Sequence, residues 1–200
     1  MGTLKDKALI LGEGETEFYY LNSLRDMFKS VDIKPDRPKH TNLMELEKRI
    51  EESIQDYDYI FCVIDMDTKD DKAERVKYGE LKKKYANPIV RPEKCCRVEF
   101  FETHRCSELF FLYYFDYTSR MYNDQNALIK DLNKRVKYEK KQSFFKKTKG
   151  LHSYFERKGG SLENAVKNSN CSIREKHETE RDYTYSELGQ LIMKLKKLNS

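Results

Sequence analysis

The chain has 200 residues, enough for one domain or for one domain with a small appendage. Hydrophobic residues make up 38% and charged residues 36%, but the apolar ones are clustered, so a core can form and a disordered chain is excluded. The formal net charge of +5 is modest, and the placement of the charges says more than their total. No apolar run reaches the ~20 residues of a membrane span. The start, Met1-Gly2-Thr3-Leu4-Lys5-Asp6-Lys7, lacks the apolar centre of a secretory signal, so a cytoplasmic protein with no membrane partner is expected. The five cysteines are odd in number, form no C-x-x-C and include Cys62 inside an apolar run, which predicts reduced thiols. Cys95, Cys96, His104 and Cys106 fit no common zinc spacing.

Residues 7–11 read as a strand that stops abruptly at Gly12-Glu13-Gly14, a tight turn around Glu13. Phe18, Leu21, Leu24, Met27 and Phe28 recur at three- and four-residue spacing and predict a helix over about 16–29. Pro35 and Pro38 mark a loop. Asn42, with Glu45 three residues on, caps a helix over 43–55 whose apolar stripe is Leu43, Leu46, Ile50 and Ile54. A second strand covers 58–64 and ends in Asp65-Met66-Asp67. This β-α-α-β order predicts an α/β fold on a mainly parallel sheet.

A charged helix follows to about Tyr85, then a short strand at 88–90 and a longer one at 95–101. Ser107 to Phe115 reads as a buried helix, and a further helix covers 126–135. Residues 134–150 are strongly basic, with Glu139 the only acid, and Tyr138, Phe144 and Phe145 are interleaved. A helix is predicted over 151–167. The last begins at Thr184, which forms a capping box with Glu187, and Leu188, Leu191, Ile192, Leu195 and Leu198 line one face. His40, His152 and His177 sit among polar residues and read as surface groups.

An apolar run that ends in acid is a buried strand delivering carboxylates to its C-terminal edge, where open parallel sheets bind ligands. Two such strands side by side gather Glu13, Asp65 and Asp67. Like charges so close call for a cation, and an all-oxygen set suits Mg²⁺ or Mn²⁺. Asp65 and Asp67 reach one ion only if the chain turns at Met66, because alternate strand residues point to opposite faces. Plainer readings also exist: helix-start charge for Glu17 and Glu108, and turn formation for the two aspartates. The basic segment either tracks a phosphate backbone with its aromatics stacked on bases, or is a solvated face over core aromatics. No G-x-x-x-x-G-K-[ST] motif occurs, which argues against P-loop ATP hydrolysis.

Leu11-Gly12-Glu13-Gly14-Glu15-Thr16-Glu17, the run Ile60 to Asp67, Cys106-Ser107-Glu108-Leu109-Phe110-Phe111-Leu112 and the closing Tyr183-Thr184-Tyr185-Ser186-Glu187-Leu188 together resemble, in order, the elements of RloB-like proteins. The resemblance implies a TOPRIM-like sheet over about 1–118, a helical, basic part over about 119–200, and an Mg²⁺-dependent nuclease activity on DNA or RNA in phage defence. It makes Glu13, Asp65 and Asp67 the metal set, and adds Glu17 and Glu108 as acidic site positions. Lys140, Lys141, Lys146 and Lys147 would meet the nucleic acid. So would His104 and Arg105, which with Thr103 stand where the family has an S-N-P turn. Ser107 stands where Phe is usual. An ATPase encoded elsewhere is a conceivable partner, and a non-catalytic nucleic-acid-binding module on the same fold is the alternative.

Overall fold

The structure, a computed structural model, describes residues 5–36, 42–69, 71–92 and 94–200, without the side chains of residues 67 and 68. His40 and Pro38 lie outside the described residues. The chain divides into two compact units. The first comprises residues through Ile64, Thr68–Phe100 and Leu195–Ser200; the second comprises Asp65–Asp67 and Phe101–Lys194.

The first unit is built on strands β1 (Asp6–Gly12), β2 (Val31–Asp36), β3 (Tyr59–Asp65), β4 (Ile89–Val90) and β5 (Cys95–His104), in the order β2-β1-β3-β5-β4. β1 lies parallel to both neighbours: Ala8 pairs with Ile33 and with Tyr59, and Gly12 pairs with Val63. Strands covered on both faces need apolar residues at every position, which is why Ala8–Leu11 and Ile60–Ile64 are unbroken apolar runs and are buried throughout. β4 runs antiparallel to β5, so the sheet is mixed.

Three helices complete the unit: α1 (Glu15–Asn22), α2 (Leu43–Ser53) and α3 (Lys72–Lys84). Asn42 caps α2 by accepting from Glu45 N at 2.8 Å, and Asp71 caps α3 through Ala73 N and Glu74 N. Two sequence expectations change. Pro35 belongs to β2, opposite Ile10, because an edge strand tolerates a missing N–H. The helix expected over 16–29 stops at Asn22, where the Ser23 hydroxyl turns back to Tyr20 O at 2.6 Å; a short 3₁₀ turn follows and leaves Met27 exposed.

Asp58 ties the N-terminal edge of this sheet together. Its carboxylate accepts from Lys7 N at 2.9 Å and from Arg91 at 3.0 Å, and its backbone bonds Lys7 O and Arg97 N. Arg91 also donates to Ile54 O and Gln55 O.

In the second unit the end of β5 pairs antiparallel with β6 (Tyr185–Ser186), Thr103 opposite Ser186. Around it run α4 (Glu108–Tyr113), α5 (Gln125–Asn133), α6 (Gln142–Thr148), α7 (Leu151–Arg157), α8 (Leu162–Thr179) and the greater part of α9 (Leu188–Asn199). Every residue of α4 is buried. Its aromatics pack with Phe155, whose ring lies 5.1 Å from Phe111, and 5.3 Å from Tyr114 just beyond the helix. The single helix expected over 151–167 is two, broken at Lys158-Gly159-Gly160. Gly159 has φ +89°, and a Cβ on Gly160 would press at 3.0 Å on Tyr114 and Phe115.

The capping box at Thr184 does not form. That hydroxyl donates to Arg120 O, and the Glu187 carboxylate accepts from Glu102 N. His152, expected at the surface, is buried beside the Tyr114 hydroxyl at 3.0 Å, and burial, partly opposed by Glu156, lowers its pKa. His177 is exposed. The C-terminal end of α9 returns to the first unit, where Leu195 is buried and Asn199 accepts from Ser30 N at 2.7 Å.

Burial alone would raise the Asp58 pKa, but the Lys7 N–H, Lys94 and Arg91 outweigh it and hold the carboxyl below its usual range. A depressed folded-state pKa contributes stability that is complete above the ordinary carboxylate range and is lost as pH falls through the folded value. Asp58→Asn is therefore expected to destabilise the chain by about 1–2 kcal/mol at pH 7 in urea denaturation. The gap from wild type should close below about pH 4; a gap that persists to pH 2 would contradict this account.

Candidate functional site

β1 ends at Gly12, and the chain turns so sharply into α1 that a Cβ on Gly12 would come 2.5 Å from Glu17 Cβ. That close approach needs glycine, and it seats the buried Glu17 against the turn, with Oε2 3.2 Å from where Gly14 would carry a Cβ. Glu13, at the bend between, has 15% of its side chain exposed. Lys69 Nζ donates to its Oε1 at 3.0 Å, and the Lys69 side chain is 3% exposed. Lys69 closes the 3₁₀ turn Met66–Lys69 after β3, where its own carbonyl accepts from Arg75 at 3.0 Å.

In the second unit Asp65, the last residue of β3, is half-buried and accepts from the Ser107 hydroxyl at 3.2 Å. The Asp67 backbone lies in the 3₁₀ turn, so the chain does turn at Met66. The Asp67 side chain is outside the described residues. Glu108 opens α4 with none of its side chain exposed. Its Oε1 accepts from the Tyr138 hydroxyl at 2.8 Å and from Lys140 at 3.3 Å, and its Oε2 accepts from Gln125 at 2.9 Å. Burial, and then the Glu108 and Asp65 carboxylates, push the Cys106 thiol far up. Held as a buried thiol, it is a poor nucleophile. Cys95 is exposed and Cys96 buried on the same strand, so the two side chains diverge and no zinc pair forms.

The cationic residues sort differently from the expectation. Lys140 is engaged by Glu108, and Lys141 pairs with Glu139. Lys146 donates to Gln142, and it and Lys147 are exposed. His104 is interior: it stacks on Tyr185 and its Nδ1 accepts from Thr184 N at 3.2 Å, so a strand position that packs on β6 takes the place of a surface contact. Arg105 donates to Tyr122 O at 3.1 Å. Tyr138, Phe144 and Phe145, read as base-stacking candidates, are all buried, Tyr138 by its bond to Glu108.

Among the described residues, no group of three or more His, Cys, Asp or Glu is arranged to hold a metal ion. The donor chemistry of the aspartates is that of a hard-cation ligand, all oxygen with no competing thiolate. Sequence reasoning missed Lys69 and Ser107 as carboxylate partners. A lysine in a polar stretch and a serine before a helix carry no periodic signal, and only the folded chain pairs them. Among the described residues no helix is long and apolar enough to cross a membrane.

A family model described as RloB-like protein matches residues 8–195. No curated protein and no solved structure matches the chain.

Removing one partner of a buried ion pair strands the other charge away from water. Lys69→Met is expected to destabilise the chain by about 2–4 kcal/mol in urea denaturation. Lys69→Met combined with Glu13→Gln should lose clearly less than the sum of the single changes. Strict additivity would show that the pair is not coupled.

Proposed function

Because the chain belongs to the RloB-like protein family, matched over residues 8–195, we propose that it is an Mg²⁺-dependent nuclease on a TOPRIM-like fold, acting on nucleic acid in phage defence. The observation that supports this best is the register of β1 and β3. Gly12 stands opposite Val63, and each apolar strand runs out into acid at the C-terminal edge, β1 before Glu13 and β3 at Asp65. In this reading Asp65 and Asp67 hold the ion, and Glu13 is the third carboxylate that the family resemblance supplies. Bound Mg²⁺ or Mn²⁺ would lower the pKa of a water and offset charge on the phosphate.

The chain's own groups prepare the acids. The Ser107 hydroxyl orients Asp65, and Lys69 pairs with Glu13 and holds it in place. Glu17 stiffens the turn that carries Glu13. Glu108 acts through structure, fixing the start of α4 next to Ser107.

One observation favours a second reading, a nucleic-acid-binding module without catalysis: Glu13 and Glu108 are both already met by lysine ammonium groups. An activity assay separates the two. Single- and double-stranded DNA and RNA are incubated with the chain in Mg²⁺ or Mn²⁺, alongside Asp65→Asn/Asp67→Asn. Cleavage should fall by about 100-fold or more in the variant, with unchanged circular dichroism. Cleavage at the wild-type rate in that variant would end the nuclease proposal. Calorimetry with Mg²⁺ should show binding that the same variant loses.

A further inference from the structure

The loop after α5, helix α6 and helix α7 line an open cavity of about 740 Å³ in the second unit. None of the carboxylates assigned to metal chemistry lines it. Five cations surround it, Lys137, Lys141, Lys147, Arg157 and Lys158, against a single carboxylate, Glu139. Glu139 is taken up by Lys137 at 3.3 Å and by Lys141. Among the described residues Lys147, Arg157 and Lys158 belong to no salt bridge, so the excess positive charge faces the cavity and solvent.

The walls are not only charged. Phe144 and Tyr154 meet edge to face, centroids 5.5 Å apart at 89°. The Tyr154 hydroxyl donates to Lys137 O at 2.7 Å and Arg157 donates to Thr148 O at 3.0 Å, so ring and guanidinium are held before any ligand arrives. The volume lies within the ~300–1,000 Å³ range of small-molecule sites. A bare inorganic anion would leave the aromatic wall unused. A flat ring joined to a phosphate uses both features, by stacking and by charge-assisted hydrogen bonds.

We propose that this cavity binds a nucleoside phosphate, with the base on the half-buried Tyr154 ring, which the buried Phe144 backs edge to face, and the phosphate on Lys147, Arg157 and Lys158. The proposal deepens the nucleic-acid reading, on which it rests only for the strand as a source. The nucleotide is either free or the phosphorylated end of a single strand, and the chemistry recognised is the same.

The test is calorimetry on the full chain in EDTA, so that cleavage plays no part. The ligands are 5′-AMP, adenosine, inorganic phosphate, and one single-stranded oligonucleotide with and without a 5′-phosphate. Binding of 5′-AMP, or of the 5′-phosphorylated strand over its hydroxyl form, is expected, with adenosine and phosphate at least about tenfold weaker. The first result identifies a free nucleotide as the source and the second a strand end. Lys147→Glu/Lys158→Glu and, separately, Tyr154→Leu should each weaken binding about tenfold or more at an unchanged melting temperature. Lys147→Ala/Lys158→Ala replaces the charge reversal if that variant unfolds. Asp65→Asn/Asp67→Asn should bind within about twofold of wild type, so this site and the nuclease proposal fail separately. Several results would overturn the proposal: no binding of either ligand, phosphate binding as tightly as 5′-AMP, wild-type affinity in the lysine variants, or loss of binding in the aspartate variant.

Discussion

A carboxylate with no exposed surface has to find its hydrogen bonds and its counter-charge inside the protein, and Glu108 imposes that requirement on the whole second unit. Gln125 comes from α5, and Tyr138 and Lys140 from the segment that follows it. The one acid therefore decides where α5 and the first part of the basic segment pack against α4. It also explains why the aromatics interleaved with those lysines turn inward: Tyr138 must reach Glu108, and Phe144 and Phe145 pack about it. Of the plainer readings of the basic segment, the aromatic half is correct. The lysines that remain on the outside gather around a concavity and not along a ridge.

Lys69 plays the corresponding part for Glu13 in the first unit. In each case a strand or helix terminus delivers a carboxylate and a lysine closes on it. These pairs differ from the surface ion pairs of α2 and α3, such as Lys84 with Glu47 and Glu51, which solvent screens. Lys69 and Glu108 hold their partners because unpairing either would leave its charge without water, whereas Lys140 keeps part of its surface in solvent. Asp65 accepts from a neutral hydroxyl and keeps part of its surface.

Much of this was legible in the residues. The two apolar runs that became β1 and β3, the Asn42 cap and the buried α4 follow from composition and period alone, because a doubly covered strand and a fully buried helix admit no polar interruption. β2 was not legible: its Val31 and Ile33 alternate with charge over only six residues, and Pro35 reads as a loop unless the strand is known to be an edge. The early end of α1 depends on one serine hydroxyl, and the break before α8 on the room left beside Tyr114 and Phe115. The candidate acids were legible as residues at strand and helix termini, and the structure places Asp65 at the end of β3 and Glu108 at the start of α4. Their partners were not, since Lys69–Glu13 and Tyr138–Glu108 join residues far apart in the chain and no local pattern announces them.

The last turns of α9 carry a consequence for how the chain acquires its structure. Leu195–Ser200 complete the first unit, yet they leave the ribosome only after all of the second unit has been made. The first unit therefore cannot finish folding in the order of synthesis: Ser30 waits for Asn199, and the site that Leu195 fills stays open until then. Closure over so long a sequence separation is slow relative to local helix formation. Glu13, at the end of β1, thus sits in a scaffold that becomes complete only when its latest residues arrive, and until then the second unit has the time advantage in forming its own core.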